Sequence, residues 1–388
     1  MDLEAFRWLL TDDGQALLTT ATELTAEAGS ELRAQEELRR SASPEHVAAA
    51  LTQVELRRRA EPKFGAAASR MYFTPEGLEQ ATRTAVARHR AARLQTFGAA
   101  SVIDLGCGIG GDLVAAAGAG LTAAGVDVDP VRVEVAAANL HALDLPGAVK
   151  VADATRVDVT PFDVAFADPA RRTGTGRTFR ADDWQPPWSF VERLLTRDAV
   201  VKVAPGIPHT LVPAGVEAEW VSDGGEVKEA ALWSGRLAST GRRATVIGDG
   251  GLATLTEADD PGAEVREVGE FLYEPDGAVV RAGLVTAVAH GVEGGLVDPH
   301  IAYVTSDRSY RTPFARGYQV LEELPYREKQ LRAALRARGV GSLTIKKRGV
   351  DVVPEQLRKR LDLHGEAEAT IVLTRVAGRG RALLVRPF

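Results

Sequence analysis

Val102-Ile103-Asp104-Leu105-Gly106-Cys107-Gly108-Ile109-Gly110-Gly111 runs from a short apolar segment straight into a cluster of glycines. The order predicts a strand, a tight turn whose backbone can approach a ligand closely, and then a helix. Gly106, Gly108 and Gly111 match the G-x-G-x-x-G spacing, which by itself is compatible with a nicotinamide or flavin dinucleotide. Two details point elsewhere. Asp104 stands two residues before the first glycine, where a carboxylate repels phosphate and attracts an ammonium or a sulfonium. No basic residue lies within the loop to meet a pyrophosphate. The loop suits a nucleoside carrying a cationic amino-acid arm.

Short apolar runs alternate with helical stretches on both sides of this motif. They lie at 101–105, 121–126, 149–151, 164–167, 199–203 and 243–247. Such alternation predicts an α/β fold, a doubly wound and largely parallel sheet of Rossmann type. The extended pieces 217–222, 229–233 and 244–247, joined by glycine-rich turns, predict an antiparallel end to that sheet. Acids stand where the next strands end. Asp127, 23 residues after Asp104, is placed to accept from both ribose hydroxyls, and Asp153 from an adenine amino group. A lone Asp at a strand end is ordinarily a helix cap, which is the reading given to Asp129 before Pro130. Three acids in register with a glycine loop are a stronger pattern.

The constellation resembles the class I S-adenosylmethionine-dependent methyltransferases over roughly residues 100–247. The resemblance implies S-adenosyl-L-methionine as cofactor. Asp104 with Gly106, Gly108 and Gly110 would hold the methionine end, Asp127 the ribose and Asp153 the adenine. Val128, Ala154 and Cys107 accompany them, Cys107 as a small buried filler and not a nucleophile. The fourth strand runs into Asp168-Pro169-Ala170-Arg171-Arg172. In methyltransferases of exocyclic amines the matching place carries Asp or Asn, two prolines and an aromatic. The acid and the proline carbonyl orient the amine toward the methyl group. Asp168 and Pro169 fit that pattern, whereas Ala170 and Arg171 depart from it. An arginine can stack on a base or bind phosphate, so Arg171 and Arg172 remain compatible with nucleic acid. Lys202, on the fifth strand, reads as a structural or substrate-contact lysine.

Residues 1–95 read as helical, with starts at Ser43-Pro44-Glu45 and Thr74-Pro75-Glu76. Met71-Tyr72-Phe73-Thr74-Pro75-Glu76 resembles the segment that precedes the core of trimethylguanosine synthase-type methyltransferases and covers the cofactor there. Phe73 and Thr74 are the matching candidates. The arginine at 171 in place of that enzyme's stacking Trp makes cap guanosine an unfitting substrate. Gly248–Gly262 reads as a linker. The α+β region 263–388 that follows resembles the THUMP-like domain attached to bacterial methyltransferases, on Phe271–Asp276 and Leu343–Gly349. The expected organisation is thus a helical domain at 1–95, a methyltransferase domain at 96–248 and a THUMP-like domain at 263–388.

The net charge of −6 hides an asymmetry, since residues 301–388 hold 18 Lys/Arg against 9 Asp/Glu. A basic tail on an acidic body predicts a polyanionic partner, RNA of the tRNA or rRNA kind. Lys346, Lys347 and Arg348 are the phosphate-binding candidates. Only 8 of the 47 basic residues are Lys, so an Arg-rich coding bias is an equally good explanation. One cysteine excludes a disulfide framework, and the seven histidines show no pair at ligand spacing, so no metal is expected. No run reaches the ~18 apolar residues of a membrane span and the start lacks a signal-peptide pattern, which predicts a soluble cytoplasmic protein with no membrane partner. The expected activity is methylation of an RNA base. The alternatives are a small-molecule methyltransferase and a non-catalytic cofactor-binding protein associated with RNA.

Overall fold

The computed structural model describes residues 2–26, 31–171 and 184–388. Two compact units divide the chain. The first takes residues 1–216 and returns for 231–239, and the second takes 217–230 and 240–388.

The first unit begins with helices α1 (Leu3–Leu9), α2 (Asp12–Leu24), α3 (Glu31–Leu38) and α4 (Pro44–Phe64). Asp2, Thr11 and Ser43 start three of them by accepting a backbone N–H three residues on. Phe6, Leu9, Leu18, Val47 and Leu56 close one core between them. Beyond α4 the chain runs extended and buried through Met71–Phe73, away from any sheet. Its backbone groups are satisfied by two buried side-chain amides, as a buried extended segment requires. Gln53 donates to the Phe73 carbonyl at 2.7 Å and accepts its N–H at 3.1 Å. Asn139 does the same for Tyr72 at 3.0 and 2.6 Å. Helices α5 (Pro75–Gln80) and α6 (Thr84–Thr96) follow.

The sheet of this unit is built by β1 (Ser101–Leu105), α7 (Gly111–Gly118), β2 (Thr122–Asp127), α8 (Pro130–Ala142), β3 (Ala148–Val151) and β4 (Val164–Ala167). The short pair β5 (Ala170–Arg171) and β6 (Trp184–Gln185), then α9 (Trp188–Leu194) and β7 (Ala199–Val203), complete the run. The parallel order is β3-β2-β1-β4-β7. Strand order therefore reverses at β1, which pairs with β2 on one side and β4 on the other. Ligands of open α/β sheets bind outside the carboxyl ends of the strands at such a switch point. The returning segment belongs to the same body. Arg93 of α6 lies 3.9 Å from the ring centre of Trp233 and donates to the Leu237 carbonyl, and Ser234 Oγ donates to the Arg197 carbonyl at 2.7 Å.

The second unit contains β8 (Glu217–Asp223) and the first residues of β9 (Glu226–Ser234), then β10 (Arg242–Gly248) and β11 (Gly251–Thr256). β10 runs parallel to β8 and antiparallel to β11. The glycine-rich 248–262 stretch is thus no open linker, because Gly248–Gly251 is the turn of a hairpin and Leu252 and Leu255 continue into its second strand. Glycines that read as flexible serve equally as hairpin turns, and the alternation after them carries the difference. A seven-stranded sheet follows, assembled from β12 (Phe271–Pro275), α10 (Gly277–Ala282), α11 (Val285–Gly291), β13 (Gly295–Asp298), β14 (Ile301–Ser306), β15 (Ala315–Leu324), α12 (Glu328–Ala337), β16 (Val340–Arg348), α13 (Pro354–Leu361), β17 (Ala367–Val376) and β18 (Arg379–Pro387). Its order is β13-β14-β12-β15-β18-β17-β16. Leu331, Leu335, Leu357 and Leu361 of α12 and α13 pack on Leu343, Ile345, Ile371 and Leu373. Among the described residues no helix is long and apolar enough to cross a membrane.

Candidate cofactor and active site

A cleft of about 560 Å3 opens in the first unit at the carboxyl ends of β1, β2 and β4. Its floor is the glycine loop. Gly106 and Gly110 have φ of +105° and +83°, conformations that L side chains rarely adopt. A Cβ on Gly110 would also fall 3.1 Å from that of Ala136 on α8. The Val126 carbonyl accepts the N–H groups of Gly106 and Cys107 at 2.8 and 2.9 Å, which ties the loop to the end of β2.

Each acid is placed by its own local bonds. Asp127 is buried, and its two oxygens accept the N–H groups of Gly108 at 3.0 Å and Asp129 at 2.9 Å. Asp129 accepts from Val131 at 2.8 Å and caps α8, so its carboxylate is committed to the helix. We expect Asp129→Ala to cost about 1 kcal/mol of stability, a usual value for a lost cap. Cofactor affinity should change by less than about threefold, under 1 kcal/mol, by calorimetry. Asp153 accepts from both the N–H and the hydroxyl of Thr155, at 2.9 and 2.7 Å. These bonds hold its carboxyl below the usual carboxylate range.

Asp104 differs. It is 3 % exposed, and its Oδ1 is buried without a hydrogen-bond partner. Burial first, then the neighbouring Asp112 and Asp168 charges, push its carboxyl well above the usual range, with Arg90 pulling the other way. A buried carboxylate oxygen lacking a donor is costly unless something cationic meets it. Cys107 sits under the loop, where burial and the charges of Asp104 and Asp127 push its thiol up. It stays protonated and unreactive.

A chain of polar contacts runs along the cleft wall. The Arg90 guanidinium pairs with Asp112 and lies 4.5 Å from the ring centre of Phe166. Thr82 Oγ1 donates to Asp112 at 2.9 Å and accepts from Lys202 Nζ at 3.3 Å. Lys202 Nζ also pairs with Asp168 Oδ2 at 2.6 Å. Neither Thr82 nor Asp112 stands out in the sequence, because their relation to Lys202 exists only once β7 lies beside β4.

Asp104, Gly106, Cys107, Gly108, Asp127, Val128, Asp153, Ala154 and Asp168 all line this cleft. Gly110 instead starts α7, and Pro169 is buried and not part of the lining. Phe73 packs against Phe64 at 5.3 Å in the helical core, and Thr74 caps α5 through Gly77, so neither lies in the cleft lining. Their segment reaches the cleft a turn later, with Gly77, Ala81 and Thr82. Arg172 and the Arg171 side chain lie outside the described residues. In the second unit Lys346 pairs with Glu274 at 3.0 Å, and Arg348 lies 5.3 Å from the ring centre of Tyr303. Lys347 alternates with these two along β16, beside the buried Ile345.

The donor set fits S-adenosylmethionine. Asp104 Oδ1 lacks the hydrogen-bond donor that a methionine ammonium would supply, Asp127 keeps lone pairs free for hydroxyls, and Val128, 68 % exposed in the cleft, offers apolar cover to a flat base. No group of three or more His, Cys, Asp or Glu that could hold a metal occurs among the described residues. Switch point, glycine loop and the acid ahead of it together define a Rossmann-like methyltransferase site. The chain belongs to the S-adenosylmethionine-dependent methyltransferases, and the cofactor is S-adenosylmethionine. It is 43% identical over 321 residues to an uncharacterized S-adenosylmethionine-dependent methyltransferase found in two strains of Mycobacterium tuberculosis, a match spanning 79% of this chain and 86% of the relative. A crystal structure from Porphyromonas gingivalis W83, assigned as a methyltransferase, shares the fold. Its TM-score is 0.76 at 22% identity, over 96% of this chain and 98% of that one. A family profile described as THUMP domain-like matches residues 315–387, and one described as a domain of unknown function matches 2–60.

Proposed function

We propose that this enzyme methylates a base in tRNA or rRNA in the cytoplasm. It would work through two parts, a methyltransferase body that includes the N-terminal helices and an RNA-binding part toward the C-terminal end. The observation that carries the RNA reading is the THUMP-like match, 315–387, falling within the stretch that holds 18 basic against 9 acidic residues. In this reading Asp104 and the loop glycines hold the methionine end, Asp127 the ribose and Asp153 the adenine. Bound S-adenosylmethionine supplies an electrophilic methyl on a sulfonium sulfur. Asp168 and the Pro169 carbonyl accept the N–H groups of the acceptor amine and aim its lone pair. Arg171 and Arg172 contact the base or its phosphate.

Nucleoside mass spectrometry of tRNA and rRNA from a strain lacking the gene tests the proposal. One methylated base should be missing and should return with the plasmid-borne gene. A second reading, a small-molecule methyltransferase, is favoured by the pairing of Arg336, Arg338 and Arg360 with Asp362, Glu322 and Glu328, which removes much of the free positive charge from the tail. A Lys346/Lys347/Arg348→Ala triple variant tests where RNA would bind. For an RNA enzyme it should keep cofactor affinity and bind RNA more weakly. Its log–log salt slope should be shallower by roughly 0.7–0.9 for each phosphate that the variant no longer neutralises. RNA binding unchanged in strength and slope would move the RNA surface elsewhere.

A further inference from the structure

We propose that Lys202 is a positioning residue for methyl transfer, acting through Asp168. Thr82 would carry its anchorage back to the Asp112–Arg90 pair. The inference rests on the reading that Asp168 orients the acceptor.

Sheet register brings the pair together. β4 and β7 run parallel with Ala167 opposite Val201, so the next residues on each strand, Asp168 and Lys202, emerge side by side at the carboxyl edge where the cleft opens. The hydrogen bonds have a fixed direction. The Thr82 hydroxyl gives its proton to Asp112, so its oxygen can only accept, and Lys202 donates to Thr82 at 3.3 Å and to Asp168 at 2.6 Å. Asp112 is itself held by the guanidinium of Arg90, which is buried. The ammonium, on a largely buried stem, thus bridges the anchored Thr82 hydroxyl to Asp168 and pins Oδ2 of that carboxylate. In this proposal the other oxygen, Oδ1, is the one that meets the acceptor.

A short carboxylate at a cleft mouth without this partner would be free to rotate and hydrate. A misplacement of about 1 Å at a reacting centre costs about a hundredfold in rate. Thr82 lies just after α5, so the same hydrogen bonds link the segment leading into the core to the acceptor side of the cleft.

The test uses the purified full chain, labelled S-adenosylmethionine and bulk RNA from the gene-deleted strain. Lys202→Met should lower kcat by about a hundredfold and change KM and S-adenosylhomocysteine affinity by less than about threefold, the signature of a missing orienting group. Lys202→Arg should restore kcat to within about tenfold of wild type, because a cationic donor is regained. The double variant Lys202→Met/Asp168→Asn should be no slower than the slower single, since the two act as one unit. Lys202→Met at wild-type kcat overturns the proposal. So does a loss that Arg does not relieve and that tracks a fall in melting temperature. If wild type methylates no RNA, the RNA reading falls and the pair is judged by calorimetry. An unbalanced Asp168 charge should then raise the affinity of Lys202→Met for the sulfonium cofactor relative to the neutral thioether by about threefold or more, and Asp168→Asn should abolish the gain. An unchanged ratio overturns the proposal.

Discussion

Asp104→Asn should weaken S-adenosylmethionine binding roughly ten- to a hundredfold, the worth of a hydrogen bond to a charged group, while making the ligand-free protein more stable. The two effects have one cause. The Asp104 carboxylate is buried with an oxygen that no protein group satisfies, among the like charges of Asp112 and Asp168. It costs the empty fold and rewards a cationic ligand. The pH dependence follows with a definite sign. In the unfolded chain this carboxyl titrates near pH 4, and in the folded chain it titrates well above that. Between those limits the folded state holds more protons than the unfolded one, so wild type loses stability as pH rises through the window. Cofactor affinity moves the opposite way, rising with pH, because Asp104 must release its proton to face an ammonium. In Asp104→Asn both trends should vanish from this group. Melting curves without ligand and calorimetry with S-adenosylhomocysteine between pH 5 and pH 8, read as wild type minus variant, check both signs. A wild-type protein whose stability gained on the variant with rising pH would contradict the argument.

Asp127→Ala should lower cofactor affinity by a similar ten- to a hundredfold, but here stability falls with it. Asp127 accepts from Gly108 and Asp129, so truncation leaves two N–H groups without their partner and releases the glycine loop from the end of β2. About 1–3 kcal/mol of stability should go with each group that stays buried and unpaired. The contrast with Asp104→Asn is the informative result. Two acids on neighbouring strands, both expected at the cofactor, should move the melting temperature in opposite directions. If Asp129→Ala proved more damaging to binding than Asp127→Ala, the carboxylate facing the ribose would have to be reassigned to Asp129.

The strands of the sheet and the glycine loop after the first of them were legible because apolar runs, glycines and acids repeat at strand ends, and those signals are local; the order of the strands, and with it the switch point, was not. Asp129 before Pro130 announced a helix cap for the same reason. What stayed hidden depends on partners distant in the chain. Nothing in Met71–Phe73 says that Gln53 and Asn139 will clamp its backbone; aromatics beside a helix start are ordinarily core residues, and Phe73, which the resemblance alone put at the cofactor, packs on Phe64 in the helical core. Lys202 was visible as a strand lysine, but its partner came from the register of β4 against β7. In the tail, Lys346-Lys347-Arg348 read as one basic cluster. The strand's twofold alternation instead separates Lys347 from its neighbours, and Glu274 takes Lys346.

The return of residues 231–239 to the first unit bears on how such a gene can change. Trp233 beneath Arg93, Ser234 on the Arg197 carbonyl and Leu237 accepting from Arg93 are encoded after the second unit has already begun. No single recombination breakpoint passes the methyltransferase body to another gene whole without taking part of its companion. A premature stop between codons 217 and 230 removes the whole returning segment from the catalytic body, although that codon lies in the second unit's stretch. The two units are therefore inherited as one.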